Sequence, residues 1–357
     1  MSREVKVAAI AGDGIGKEVL PPSLALVEAA AKVSDLSITW DLIDWSSDTF
    51  LKTGKYIPEG GMERLMACDA IYFGAVGDPR VADHESLWGL LLSMRQNFQQ
   101  NVNVRPIKRL PVPSPLASPL DFDILLVREN VEGEYTPIGG QMRLTGGNQV
   151  AMQVSVFSKF ATEAVAHYAF QQARLRKSSV CAATKSNALA HSMTFWEDVI
   201  REVATQYPDV SLRFSHIDAL AAEFILRPWN LDVVVGSNLF ADVLADIGAA
   251  IMGSIGVAAS GNINPERSMP SLFEPVHGSA PDIVNRGIAN PTGQLLTAAM
   301  MLDHLGAPEG AELLRSSVVQ TLANPKFHTG DVGGTATTSE VFAEVARRMA
   351  PLTVSSV

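Results

Sequence analysis

Cysteine is scarce in this chain. The 357 residues hold only Cys68 and Cys181, too few for a disulfide framework and without metal-ligand spacing. Both border apolar stretches and read as core thiols of a reducing compartment. Long apolar runs are missing too. None reaches the roughly 18 residues of a membrane span, and Met-Ser-Arg-Glu-Val-Lys lacks a signal-peptide pattern, so the cytoplasm is the expected location. Positive charge is outweighed, with 28 Lys and Arg against 38 Asp and Glu and a net charge of −10. With no basic run to offset it, that balance argues against nucleic acid or an anionic membrane as partner. No repeat or low-complexity tract interrupts a composition that is 47% hydrophobic and 18% charged. A globular chain long enough for two lobes sharing a large core is expected.

Short Val/Ile-rich segments alternate with longer helical patterns, the βαβ signature of a largely parallel sheet. The patterns predict strands at 5–10, 38–43, 70–73, 124–127, 180–183, 212–215 and 232–235. They predict helices at 18–32, 87–98, 159–174, 193–206, 239–250 and 337–349. The Pro-rich stretch 106–119 reads as an extended connection between lobes. Segment 131–156, with Gly pairs at 139–140 and 146–147, reads as a hairpin or arm that reaches a partner subunit.

The most informative segment is 233–248. A run of three valines breaks at Gly236-Ser237-Asn238 and a helical pattern follows, with Asn238 as the expected N-cap and Leu239, Val243 and Ile247 as an apolar face. Asp242 and Asp246 lie four apart on an adjacent stripe, at a mutual cost of roughly 0.2–0.5 kcal/mol if nothing lies between them. A hard divalent cation would relieve that repulsion. The same spacing also fits an ordinary solvated acidic face.

Three arginines end separate elements: Arg95 after Leu90-Leu91-Leu92, Arg105 in Val-Asn-Val-Arg-Pro, and Arg128 closing Ile-Leu-Leu-Val-Arg. Buried arginines need carboxylates. Glu129, Glu132 or Glu134 would serve internally, and a clamp on a small di- or tricarboxylate would serve equally. Lys185 follows a strand, Tyr135 sits in Glu-Gly-Glu-Tyr, and Asp218 opens an apolar helix where it would serve as N-cap. The turn Gly12-Asp13-Gly14-Ile15-Gly16 has Lys17 where a dinucleotide fingerprint needs its third glycine, so it reads as structural.

Taken in order, these motifs resemble the β-decarboxylating dehydrogenases, the family of isopropylmalate, isocitrate and tartrate/D-malate dehydrogenases. The likeness runs from about Val5 to Arg348. It rests on Gly-Asp-Gly-Ile-Gly at 12–16, Leu-Leu-Ser-Met-Arg at 91–95, Asn-Val-Arg-Pro at 103–106, Val-Arg-Glu-Asn-Val-Glu-Gly-Glu-Tyr at 127–135, and Lys-Ser-Asn at 185–187. Asn-Leu-Phe-Ala-Asp-Val-Leu-Ala-Asp at 238–246, Glu-Pro-Val-His-Gly-Ser-Ala-Pro-Asp-Ile at 274–283 and Gly-Ile-Ala-Asn-Pro at 287–291 complete it.

The resemblance implies an α/β fold of the isopropylmalate/isocitrate dehydrogenase type, two lobes sharing a mixed sheet core, not a Rossmann fold. It implies a discontinuous NAD lobe at 1–98 plus 257–357, and a second lobe at 99–256 carrying the arm and the dimer interface. It implies Arg95, Arg105 and Arg128 as the substrate clamp, Tyr135 and Lys185 as the acid/base pair, and Asp218, Asp242 and Asp246 as metal ligands. In the family the lysine and the first aspartate reach the site from the second subunit of a homodimer. NAD would lie on the 274–290 loop: His277, Gly278, Ser279 and Ala280 near adenine and pyrophosphate, Asn290 near adenine, Asp282 and Ile283 at the ribose, with Glu274 and Asn187 completing the set. Mn²⁺ or Mg²⁺ is the implied metal and K⁺ a further candidate ion.

By the same resemblance, Trp88, Leu91 and Leu92 occupy the positions that in the family surround the substrate's C3 group. A bulky indole there leaves room for hydrogen or hydroxyl, although Trp88 would look the same as a core residue. Segment 83–90 looks most like the tartrate/D-malate branch, which implies oxidation of D-malate to pyruvate and CO₂ with tartrate also used. The alternatives are 3-isopropylmalate oxidation and a catalytically silent regulatory subunit of the same fold. A silent subunit would be expected to lose metal or base residues, and all are present. A sugar- or nucleotide-binding module would leave the arginines and aspartates unexplained.

Overall fold

The structure, a computed structural model, describes residues 3–353. In chain order its strands are β1 (Arg3–Gly12), β2 (Leu36–Ile43), β3 (Ala70–Ala75), β4 (Val102–Lys108), β5 (Asp123–Glu129), β6 (Gly139–Arg143), β7 (Gln149–Gln153), β8 (Ser179–Thr184), β9 (Ser211–His216), β10 (Val233–Gly236), β11 (Ala259–Ile263) and β12 (Ser271–Pro275). The chain divides into two compact units, one made of Met1–Gln100, Lys108–Pro119 and Ala249–Val357, the other of Asn101–Ile107 and Leu120–Gly248.

In the first unit the strand order is β2-β1-β3-β12-β11. All neighbours are parallel except β11, which runs antiparallel to β12. Its α-helices include Gly16–Val33, Thr292–His304, Pro308–Leu322 and Thr338–Thr353. Ile10, Phe73, Leu90, Leu91, Met94 and Phe98 belong to its main core cluster. In the second unit the order is β4-β5-β10-β8-β9, with β5, β10, β8 and β9 mutually parallel. Val233 to Gly236 are all buried, as expected of a parallel strand covered on both faces. Helices Lys159–Arg174, Ser192–Ala204 and Ile217–Leu226, and most of Asn238–Met252, belong here. The β6–β7 hairpin stands as a separate two-stranded sheet with every residue exposed. Among the described residues no helix is long and apolar enough to cross a membrane.

Two sequence expectations need correction. Segment 87–98 is not one α-helix: Asp83–Ser86 is a short α-helix, Leu87–Leu91 is a π-helical turn, and Leu92–Asn97 returns to α. Tyr56 presses on the π turn, since a Cβ at Gly89 would lie 2.8 Å from its ring. The expected apolar face of helix Asn238–Met252 also points the other way. Leu239 and Val243 are exposed, while Ala241, Leu244, Ala245 and Ala249 are buried. Small residues let this helix lie close to its own unit, as where a Cβ at Gly248 would come within 2.3 Å of Ile107. Leu239 and Val243 are left outside, and Ile247 is half-buried.

Candidate active site

In the second unit, three donors converge on Asp242. Tyr135 donates its hydroxyl to Oδ2 at 2.7 Å, Arg105 Nη2 reaches Oδ1 at 3.2 Å, and Arg128 Nη1 pairs with Oδ1 as well. Arg105 is steadied by Asn103, whose Oδ1 accepts from Nε at 2.8 Å. The Arg128 guanidinium also lies over the Tyr135 ring, 5.3 Å from its centroid. Burial, followed by the bond to Asp242, pushes the Tyr135 hydroxyl up to about 12. Asp246 stands one helical turn on from Asp242. Burial first and the Asp242 charge second hold its carboxyl above the usual range, against the pull of Arg105 and Arg128.

The break after β10 makes this arrangement. Ser237, not Asn238, caps the helix: its carbonyl accepts from Ala241 N at 3.0 Å and its Oγ from Phe240 N at 3.4 Å. Asn238 is held instead by the arginine. Its Oδ1 accepts from Arg128 Nε at 3.1 Å and Nη2 at 2.7 Å, and its Nδ2 donates to the Glu132 carbonyl at 3.0 Å. Glu134 closes the helix start, accepting from Ser237 Oγ at 2.8 Å and Leu239 N at 3.0 Å, a favourable place for a carboxylate. Glu129 is fully buried and accepts from Val131 N and Glu132 N, yet burial pushes its carboxyl up to about 7.

Lys185 and Asp218 form a second cluster of the same unit. β8 and β9 run parallel with Thr184 opposite His216, which brings the residues just beyond the strand ends side by side. Lys185 Nζ donates to Asp218 Oδ1 at 2.7 Å and holds that carboxyl below its usual range. Asp218 is largely exposed, and the helix cap is His216, so the N-cap role does not fall to Asp218. Asn187 lies exposed just past the lysine. Among the described residues of one chain no three His, Cys, Asp or Glu gather closely enough to hold a metal ion. Asp242 and Asp246 share one helix, while Asp218 stands on another.

In the first unit Arg95 is buried and donates through Nη2 to Glu274 Oε1 at 3.0 Å. Asn262 Nδ2 shares that oxygen at 2.9 Å. Arg95 Nε is buried with no partner, a donor left for another acceptor. All three arginines thus face a carboxylate, Glu274 or Asp242. Leu91 packs in the core cluster, whereas half-buried Trp88 is outside it.

A cavity of about 290 Å³ in the same unit is lined by Ile15, Ile255, Ile283 and Ile288, with His277, Asn290 and Asp331 among its polar members. Ala280 also lines it, but exposed Asp282 does not. His277 Nδ1 contacts the Gly278 carbonyl at 3.0 Å, its Nε2 is buried and unpartnered, and burial holds the ring below its usual value. Asp331 accepts from Ser254 Oγ and from Asn290 Nδ2, the latter at 3.0 Å, while Asn290 Oδ1 takes Thr292 N at 3.0 Å. The amide is thereby fixed in one orientation. Apolar walls, a free imidazole nitrogen and a polar edge suit a flat heteroaromatic ring. The sequence gives little warning of Ser254 or Asp331; the one signal is the Gly-rich run Gly330-Asp331-Val332-Gly333-Gly334. The 12–16 turn is structural: Ile15 N donates to the Ser279 carbonyl at 2.9 Å, and a Cβ at Gly14 would stand 2.0 Å from that oxygen.

The family model described as isocitrate/isopropylmalate dehydrogenase matches residues 6–345. The chain is 46% identical over 354 residues to a probable tartrate dehydrogenase/decarboxylase of Bacillus subtilis (strain 168), covering 98% of this chain and 99% of that protein. It is 44% identical to the D-malate dehydrogenase (decarboxylating) of Escherichia coli (strain K12), covering 96% and 97%. Among solved structures, the isocitrate dehydrogenase from Methylococcus capsulatus superposes with a TM-score of 0.86 at 28% identity, over 97% of this chain and 99% of that one.

Proposed function

This chain belongs to the isocitrate/isopropylmalate dehydrogenase family, and from that premise we propose that it catalyses the NAD- and divalent-metal-dependent oxidative decarboxylation of a small 2-hydroxy dicarboxylate. The substrate is D-malate, converted to pyruvate and CO₂, with tartrate also accepted. The observation that carries this reading is the convergence of Arg105, Arg128 and the Tyr135 hydroxyl on Asp242, one turn from an aspartate whose charge is disfavoured. Guanidinium groups in that place can grip a substrate carboxylate, and two crowded acids favour a hard cation between them.

Asp242 and Asp246, with Asp218 of a second copy, would hold Mn²⁺ or Mg²⁺, which would supply Lewis-acid charge for the reaction. Asn187, Glu274, the 277–280 loop, Asp282, Ile283 and Asn290 would hold NAD, which would supply the hydride acceptor. Arg95, Arg105 and Arg128 bind the carboxylates and fix C2. Lys185 takes the C2 hydroxyl proton as hydride leaves that carbon. The new ketone lies β to the C3 carboxylate, whose C–C bond breaks to release CO₂ and leave an enolate. Tyr135 then places a proton on C3. The proton lost from oxygen is balanced by the one gained at carbon.

The exposed apolar side chains Leu239 and Val243, together with Ile225 and Leu226 of the preceding helix, support a homodimer in which Lys185 and Asp218 of a second copy complete each site. The position of Trp88 outside the core cluster supports its reading as a filler of the C3 pocket. The test is kcat/KM for D-malate, L-tartrate, 3-isopropylmalate and isocitrate with NAD, Mn²⁺ and K⁺. D-malate is expected to lead; a lead for 3-isopropylmalate overturns the substrate assignment, and no NADH from any of the four overturns the activity.

A further inference from the structure

Lys185 sits between two hydroxyl residues, and the first of them is tied to a carboxylate. Thr184 Oγ1 donates to Glu197 Oε1 at 2.7 Å. Ser186 N turns back onto Thr184 Oγ1 at 3.2 Å. On the far side, Arg201 Nη2 meets Glu197 Oε2 at 2.6 Å. The next residue along, fully buried Trp196, donates its indole N–H to the Ala183 carbonyl at 3.1 Å. The Lys185 carbonyl in turn accepts from Ala188 N and Leu189 N, each at 2.9 Å. One turn of helix Ser192–Ala204 therefore grips residues 183 and 184, and residue 186 through the Thr184 hydroxyl, while the lysine side chain reaches toward Asp218.

Glu197 is itself mostly buried, at 8% exposure. A lone carboxylate in such a place is costly unless its oxygens are satisfied. Here the Thr184 hydroxyl satisfies one oxygen and the Arg201 guanidinium the other, so the group is held as an acceptor for Thr184, onto whose Oγ1 the Ser186 N–H also turns. A fold that needed only to close the end of β8 has the Trp196 bond for that purpose.

We infer that Glu197 is the positioning residue for Lys185, its carboxylate fixing the backbone on both sides of the lysine so that the side-chain nitrogen is presented at one place. The inference rests on the reading of Lys185 as the proton acceptor. Glutamine does not replace the carboxylate, because its amide nitrogen would offer the donors only one oxygen and turn an N–H toward either a hydroxyl or Arg201.

The experiment compares Glu197→Ala, the double variant Thr184→Val with Ser186→Ala, and Lys185→Ala, each alone and with Glu197→Ala in the Lys185→Ala background. The Thr184/Ser186 variant removes the Thr184 donor while Arg201 still pairs the carboxylate, so it tests the same link if Glu197→Ala fails to fold. Expected are a kcat loss of about 10- to 100-fold, the scale of a misplaced catalytic group, KM values for substrate and NAD within about twofold, and no further loss from Glu197→Ala once Lys185 is alanine. A general structural defect would move KM and would lower the residual rate of Lys185→Ala as well; either result overturns the inference. So does wild-type kcat in the Thr184/Ser186 variant while Lys185→Ala is inactive. Wild-type turnover in Lys185→Ala overturns instead the role of the lysine on which the inference rests.

Discussion

Tyr135 and Asp242 are joined by a 2.7 Å hydrogen bond that the tyrosine donates, which ties the proposed proton donor to a proposed metal ligand. Tyr135→Phe removes one donor from Asp242 and leaves the two arginines. It is expected to lower overall turnover by about 10²- to 10⁴-fold, the usual share of a positioned acid, while the first round of NADH formation persists. Stopped-flow NADH formation against CO₂ release separates the two steps. Undiminished turnover would remove Tyr135 from its role.

Val243 is 51% exposed and Leu239 38% exposed on one face of the helix that carries the aspartates. In a two-fold interface a single substitution acts on both sides. Val243→Glu is expected to give a folded monomer by sedimentation velocity and to abolish turnover, because Lys185 and Asp218 would no longer reach the neighbouring copy. A fully active dimer would exclude this face from the interface.

Trp88→Ala opens space where the indole stood. The expected result is a rise in kcat/KM for 3-isopropylmalate relative to D-malate by about 10-fold or more, since a pocket of this kind discriminates by a few methylenes. An unchanged ratio would return Trp88 to an ordinary packing role.

An aspartate facing a 2′-phosphate is penalised by several kcal/mol. NAD is therefore expected to outperform NADP by about 10²-fold or more in kcat/KM, and Asp282→Lys combined with Ile283→Tyr to narrow that gap. Equal use of both cofactors by the unaltered protein would show that this turn does not set the choice.

His304 packs its ring against Phe273, with centroids 5.2 Å apart. Burial, with a smaller contribution from the Arg267 charge, lowers it from 6.5 to about 4. The folded chain favours the neutral ring, so His304 adds no pH dependence above 6.5. Between that value and about 4 the unfolded chain binds a proton that the folded chain does not. Stability should fall over this window by up to about 3 kcal/mol. Urea unfolding at pH 7 and pH 4.5 should show a smaller acid loss for His304→Gln than for the unaltered protein. Equal losses would contradict the assignment.

The parallel strands β1, β5, β8 and β10 are legible because continuous apolar runs announce a strand buried on both faces. β4, β11 and β12 are not, because they carry polar groups into the interior: Asn103, Arg105, Ser260, Asn262, Ser271 and Glu274 are all buried. Helix Thr292–His304 escapes periodicity for a related reason, being buried on most of its surface. At the site the residue types are legible but their partners are not. Asn238 looks like a cap until Arg128 claims its amide, and nothing in the sequence pairs Arg95 with Glu274. The apolar stripe of the aspartate helix misleads most, since an apolar stripe that faces outward and one that faces the core have the same composition in a single sequence.

The π turn at Leu87–Leu91 has a consequence for how substrate range can change. Such a turn holds one residue more than an α-helix joining the same two ends. Removing one residue from 87–91 would restore α geometry and swing Trp88 by about 100° about the axis relative to Arg95. Arg95, proposed to bind a substrate carboxylate, and Trp88, proposed to fill the C3 pocket, are therefore geared together by a ratchet. A single codon gained or lost re-indexes one against the other while both ends of the segment stay in place.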